Sequence, residues 1–248
     1  MDPVEIARQT NARPAKKSYR RMTPADRRRQ IIEAAVAYFA EVGFDGATRA
    51  LAERLGVTQP LIYRYFPSKD ELIKAVYDEV YIGRWREEWL DAIKRRDVPL
   101  RDRLIDFYER YTDVIFQPEW MRIYLFSGLR GLGMNRWWIA FLEEHVLVRI
   151  CAEIRHGLGL PSPDLVPIQP AELEIYWLFH GGVFYYGMRK HMYEVTPHLP
   201  LREFLEASID SFLDGFPAAV QAAVGQGDRD GVGAPSPSLI PDAHSFID

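Results

Sequence analysis

Apolar residues recur at three- and four-residue steps along most of the chain, and nowhere do they alternate with polar ones over the length of a strand. Ile31, Ile32, Ala35, Tyr38, Phe39 and Val42 form one such stripe. It follows Thr23-Pro24, a capping hydroxyl before a proline preset for a first helical turn, and Gly43 closes it. Two short helices are predicted at about 48–55 and 59–66, then a longer one from Ser68 to about Lys94. Ser68 and Glu71 have the spacing of a capping box, and Pro67 ends the helix before them. Further helices are predicted at about 100–116, 119–128, 135–156, 171–193 and 201–222. Pro118, the cluster Gly128, Gly131 and Gly133, the stretch Pro161 to Pro170, and Pro197 with Pro200 separate them. The expected fold is all-α with about nine helices.

Charge divides this string of helices in two. Residues 1–70 carry 13 Lys+Arg and 8 Asp+Glu, a net +5, which leaves 18 against 27, a net −9, for the rest of a chain whose total is −4. A small basic module is thus joined to a larger acidic one, the distribution a nucleic-acid binder needs whatever its overall charge. Residues 1–22, with Arg13, Lys16, Lys17, Arg20 and Arg21, read as a mobile basic arm, either touching phosphates or merely solvated. From Gly225 the chain is rich in Gly, Pro, Ser and Asp and reads as a disordered tail. The single cysteine, Cys151, excludes an internal disulfide and a cysteine metal cage and fits a reducing cytoplasm. A charged N-terminus and the lack of any uncharged run near 18 residues argue against export or membrane insertion.

The informative segment is TRALAERLGVTQPLIYRYFPSKDEL, Thr48 to Leu72. Leu51, Ala52 and Leu55 face a core, Gly56 opens a tight turn and Thr58 caps the next helix. Two short helices joined in this way let the second enter a major groove while the first braces it. With Val57, Ile62 and Phe66 turned inward, Gln59, Pro60, Leu61, Tyr63, Arg64 and Tyr65 are left toward DNA.

These residues resemble the TetR family of transcriptional regulators. Ile31-Ile32, Ala34-Ala35, Phe39, Gly43-Phe44, Leu51-Ala52, Gly56-Val57, Tyr63, Phe66, Lys69 and Leu72 fall where that family's pattern places them, over about residues 24–80. One departure is visible: the family usually has one more residue, commonly a second threonine, between the glycine matching Gly43 and the Leu-Ala pair. The resemblance implies a helix-turn-helix DNA-binding domain at 23–70 and an effector-binding and dimerisation domain at 71–224, in a regulator that binds a double-stranded operator as a homodimer. It implies that Tyr63 and Lys69 hold phosphates, helped by Thr48 and Thr58, and that Arg49, Gln59, Pro60, Leu61 and Arg64 meet base edges or the groove wall, Gln59 first among them.

Within the larger domain the residues must speak for themselves. Aromatic side chains are dense between 107 and 193, which suits a pocket for a small apolar or aromatic effector. Tyr111, Trp120, Tyr124, Trp137, Phe141, Trp177, His180 and Phe184 are its expected lining. Gly181, Gly182 and Gly187 together cost a helix about 3 kcal/mol relative to alanine. Close approach of another helix would compensate, so Gly181, Gly182 and Tyr185, with Leu205, Ile209 and Phe212 of the next helix, are the expected dimer face. A kink beside a ligand is the other reading. Hydrolase, nucleotide-loop, zinc-protease and dinucleotide motifs are missing from the sequence, so neither catalysis nor a cofactor is expected. His180 and His191 stand about 16 Å apart along one helix, too far for one metal, and His145 and His156 share that spacing. A chromosome-organising DNA binder without an effector is the alternative from another class; binding at dispersed sites rather than a few operators would distinguish it.

Overall fold

The computed structural model describes residues 22–215 and 217–230. The basic arm, save Met22, and the tail beyond Asp230 lie outside the described residues. The described residues contain helices and connections and no strand. Helix α1 (Pro24–Val42) starts as expected, with the Thr23 hydroxyl accepting the Asp26 N–H at 3.1 Å. Its stripe is buried apart from Val42, which stands 42% exposed at the helix end. Helices α2 (Thr48–Leu55) and α3 (Gln59–Tyr65) follow, then α4 (Lys69–Tyr77), capped by the Ser68 hydroxyl and prolonged by one π turn, Asp78–Ile82.

The long helix expected to reach Lys94 is broken at Gly83. A separate short helix, α5 (Glu88–Ile93), resumes after the gap. Glycine weakens the helix at this point, and the Arg86 guanidinium donates to the carbonyls of Gly83 and Trp85, both at 2.9 Å, which takes acceptors a continuing helix would use. The change of direction buries Trp89, Leu90 and Ile93 and stacks Trp85 edge-on against Phe141 at 5.1 Å. The arm from Lys69 therefore ends at Ile82, about 20 Å long at the usual rise.

The remaining helices are α6 (Leu100–Ile115), α7 (Pro118–Leu129), α8 (Met134–Leu142), α9 (Val148–Gly157), α10 (Pro170–Gly187), α11 (Leu201–Gly215) and α12 (Pro217–Asp230). A π turn, Glu143–Leu147, joins α8 to α9, and another, Met188–Met192, prolongs α10. The expected helix at 201–222 is two helices, divided before Pro217, and α12 carries helical backbone past Gly225, where a tail was expected. Alanine at 218, 219 and 222 favours propagation through that glycine. One continuous apolar core runs through the whole assembly, with α1 packed on α4 and α7, α6 on α11, and α10 on α12.

Part of the expected dimer face belongs to that core. Leu205 and Ile209 are fully buried, and Phe212 stacks on Phe179 at 4.9 Å within the chain. Side chains already enclosed in one protomer cannot supply an intersubunit surface. Gly187 is also an internal contact, since a Cβ there would run into the Phe116 ring. Gly181 and Gly182 are exposed with open space where a Cβ would stand, and Leu178 and Tyr185 beside them are 67% and 55% exposed.

A buried ion pair fixes the connection before α10. Arg155 and Glu172, fully enclosed, meet at 2.8 and 2.5 Å. The same guanidinium donates to the carbonyls of Pro161, Val166 and Pro167. Glu172 also accepts the Gln169 N–H at 2.7 Å, so one carboxylate caps α10 and holds the arginine that gathers the loop.

Candidate nucleic-acid interface

The turn between α2 and α3 is closed by the left-handed conformation of Gly56, φ 63°, which only glycine adopts without strain. It lets the Val57 N–H return to the Ala52 carbonyl at 3.0 Å. Leu51, Ala52, Ile62 and Phe66 are buried, so α2 and α3 are locked at a fixed angle. Pro60 sits in the first turn of α3. Thr58 takes the extended backbone of an N-cap, yet its side chain makes no capping bond and stays exposed.

A side-chain network ties the start of α2 to α3. The Gln59 amide donates to the Thr48 hydroxyl at 2.8 Å, and that hydroxyl lies 3.0 Å from the Tyr63 phenol. Thr48 is buried, so its hydroxyl positions Gln59 and Tyr63 rather than facing outward, and of the expected hydroxyl or backbone contact with phosphate only the backbone one is left to it. Gln59 keeps its carbonyl oxygen as a further acceptor. Tyr63 is 39% exposed, and Pro60 and Arg64 stand open beside it. Leu61 and Lys69 are half-buried. Arg49 is exposed on α2 and pairs with Glu53 at 3.3 Å. Arg64 leans over the Tyr65 ring. The outward face of α3 therefore presents a proline, a phenol and a guanidinium with no acidic residue in that helix, a surface that suits a polyanion.

The shortened link between α1 and α2 is accommodated by residues the sequence pattern does not single out. Helix α2 starts at Thr48 with Ala47 in the capping position, where no side chain can bond. The Tyr38 hydroxyl donates to the Ala47 carbonyl at 3.2 Å instead. A Cβ on Gly46 would come within 2.6 Å of Val42 and 2.8 Å of the Tyr38 oxygen, so glycine is required there. Two contacts with α7 and its C-terminal end follow. The Phe126 ring of α7 lies 3.3 Å from where a Cβ of Gly43 would stand, and Arg130 reaches Asp45 at 3.1 Å.

Beyond α5, Trp120, Tyr124, Trp137, Phe141 and Phe184 join one packed aromatic layer, and Tyr111, Trp177 and His180 belong to a second group of touching rings. Trp120 stacks on Tyr124 at 5.1 Å, Tyr124 meets Phe184 at 5.4 Å, Trp137 stacks on Phe141 at 5.4 Å, and His180 touches both Tyr111 and Trp177. Trp138, one of the dense aromatics of 107–193, completes the layer with Tyr81 and Trp85, which the sequence pattern did not single out. A cavity of about 140 Å³ lies apart from all eight, against Leu100, Ile154, Leu158, Phe212, Leu213 and Val220. His180 is bonded through Nδ1 to the Tyr108 hydroxyl at 3.0 Å, and burial pushes its imidazole down to about 4. Among the described residues no group of three His, Cys, Asp or Glu side chains could hold a metal ion, and no helix is long and apolar enough to cross a membrane.

Residues 31–76 match the family described as bacterial regulatory proteins, tetR family. The chain is 40% identical over 76 residues to the tetracycline repressor protein class A from transposon 1721 of Escherichia coli, covering 30% of this chain and 33% of that protein. The chain thus spans about a third of that relative's length. It is 28% identical over 141 residues to the HTH-type transcriptional repressor AcnR of Corynebacterium glutamicum, covering 54% and 69%. Among solved structures it shares the fold of a transcriptional regulator from Pseudomonas aeruginosa PAO1, with a TM-score of 0.60, 22% identity and coverage of 82% and 96%. A tetR-family regulator from Streptomyces coelicolor has a TM-score of 0.51, 21% identity and coverage of 84% and 91%. The family match lies on the very helices that form the exposed Tyr63 face, so residues 31–76 are similar to the tetR family of bacterial regulatory proteins, and the chain shares its fold with solved regulators.

Proposed function

We propose that this protein is a transcriptional repressor that binds a two-fold symmetric operator as a homodimer and is released by a small apolar or aromatic molecule. The observation that carries the reading is the outward face of α3, where Pro60, Tyr63 and Arg64 stand exposed on a helix braced by α2. One recognition helix reads too few base pairs for genomic specificity, and two-fold pairing doubles the site. Half-sites then lie about one helical turn apart, or a multiple of it.

Tyr63→Ala and Lys69→Ala are expected to weaken binding to all sequences. Gln59→Ala is expected to relax preference at one base pair, at a cost of about 1–3 kcal/mol on the selected operator. Selection from a random duplex library, then titration of these variants, is the test; equal loss on every sequence for Gln59→Ala sinks the base-reading role. Recovery of a few palindromic sites, rather than dispersed binding, separates a regulator from a chromosome organiser.

The outward face of α10, with Leu178, Gly181, Gly182 and Tyr185, is the surface we assign to the partner subunit, together with α12 beside it. An exposed apolar stripe on a helix otherwise rooted in the core supports this assignment. Gly182→Leu is expected to yield monomers in sedimentation at concentrations where the unaltered protein is dimeric. A dimer undisturbed by that change would point to another face.

For release, the effector must bind the arrangement that fits DNA poorly more tightly than the one that fits well, and a coupling of about 1–3 kcal/mol weakens the operator complex about 5- to 150-fold. Two links to the DNA-reading unit support such coupling: α4, and α7 through Phe126 and Arg130 against the loop after α1.

A further inference from the structure

Two donors in the aromatic layer lack an acceptor. Tyr81, on the π turn that prolongs α4, and Trp120, on α7, are each 1% exposed and their rings meet at 4.9 Å. Neither the Tyr81 hydroxyl nor the Trp120 Nε1 has a hydrogen-bond partner. Other tips are engaged: Tyr77 donates to the Met134 carbonyl at 2.6 Å, Tyr108 and Tyr176 share a bond of 2.7 Å, and Trp177 reaches Glu143 at 3.5 Å, while the buried Ser127 hydroxyl and Asn135 Oδ1 are also without a partner. An indole N–H can only donate, and burial pushes the Tyr81 phenol well above its ordinary range, so both groups are neutral donors. A buried donor without an acceptor is costly, and single π turns recur at functional sites.

Around this pair stand flat walls. Tyr77 stacks on Tyr81 at 4.2 Å, Tyr124 stacks on Trp120 at 5.1 Å, and Trp138 lies edge-on to Tyr81 at 5.3 Å. The buried arginines, Arg103 and Arg155, are committed to Glu153 and Glu172, so a carboxylate entering the layer would lack a countercharge. We propose that Tyr81 and Trp120 are the polar recognition point for a flat, uncharged aromatic ligand bearing a carbonyl acceptor of ketone or quinone type, seated between α4 and α7. The rings are in contact, so the ligand enters by parting them. Parting them separates the two helices that both pack on α1, which links this seat to DNA release. That last step rests on the effector reading above.

The matched probes are 9-fluorenone and fluorene, which share a shape and differ in the carbonyl. Tryptophan fluorescence titration should give about tenfold or more tighter binding of fluorenone, the worth of satisfying buried donors. The bound carbonyl stretch should move to lower frequency. Tyr81→Phe should reduce the preference severalfold, and replacing Trp120 by the isosteric benzothienyl residue should do the same. In the free protein Tyr81→Phe should leave the melting temperature unchanged or raised, because the hydroxyl it removes is unpartnered. Equal binding of both probes, binding of neither, an unchanged preference in Tyr81→Phe, or a lowered melting temperature in that variant each overturns the proposal. Fluorenone binding with carbonyl preference but no change in operator affinity leaves the seat standing and sinks only the effector role. Release of DNA by compounds indifferent to a carbonyl keeps the effector role and overturns this seat.

Discussion

Arg155→Met is expected to cost the fold about 3–5 kcal/mol, the penalty for stranding a buried charge. The variant leaves the Glu172 carboxylate with only the Gln169 N–H and deprives the Pro161, Val166 and Pro167 carbonyls of their donor. Urea unfolding of the variant measures the loss. Replacing both partners, Arg155→Met with Glu172→Leu, should recover much of it, because no charge is then left enclosed. If the double variant were as unstable as the sum of the singles, the pair would be acting through the loop carbonyls alone. The loss should appear first in the 158–169 connection and in the first turn of α10.

Acid should destabilise the protein through His180 by about 3 kcal/mol between pH 6.5 and 4. Burial holds the folded imidazole at about 4, against about 6.5 in the unfolded chain. The unfolded state therefore binds the proton first as pH falls. The stabilisation is fully present above about pH 6.5 and is lost progressively as pH falls toward 4. The hydrogen bonds agree with a neutral ring: Tyr176 can donate to Tyr108 and Tyr108 to Nδ1, which leaves the ring proton on Nε2. Stability measured against pH for the unaltered protein and His180→Gln, which does not titrate, is the check. Parallel profiles in that window would show that the imidazole does not carry this dependence.

The helical class, the capped start of α1 and the inward positions of α2 and α3 were legible in the sequence because they depend on neighbours three or four residues away. Gly56 announces its turn by the same local logic. The roles of Thr48 and Gln59 were only half legible. Both residues are where a DNA contact was expected, but the bond between them spans two helices and turns Thr48 into a support. Tyr38, which compensates for the short link after α1, carries no local signal, since its acceptor is nine residues away.

Periodicity by itself determined that stripes on α1 and α11 are enclosed, and the charge split set a basic module apart from an acidic one. It could not say against what each stripe is buried. Leu205, Ile209 and Phe212 have the spacing of an interface and of a core alike, and only packing against Phe179 and its neighbours decided for the core. The break at Gly83 was decided in the same way, by the burial of Trp89, Leu90 and Ile93 that a straight helix would not give. Arg155 and Glu172 read as ordinary helix charges until the fold encloses them, because the energy of an ion pair depends on the distance and solvent around it, and neither is written in residue order.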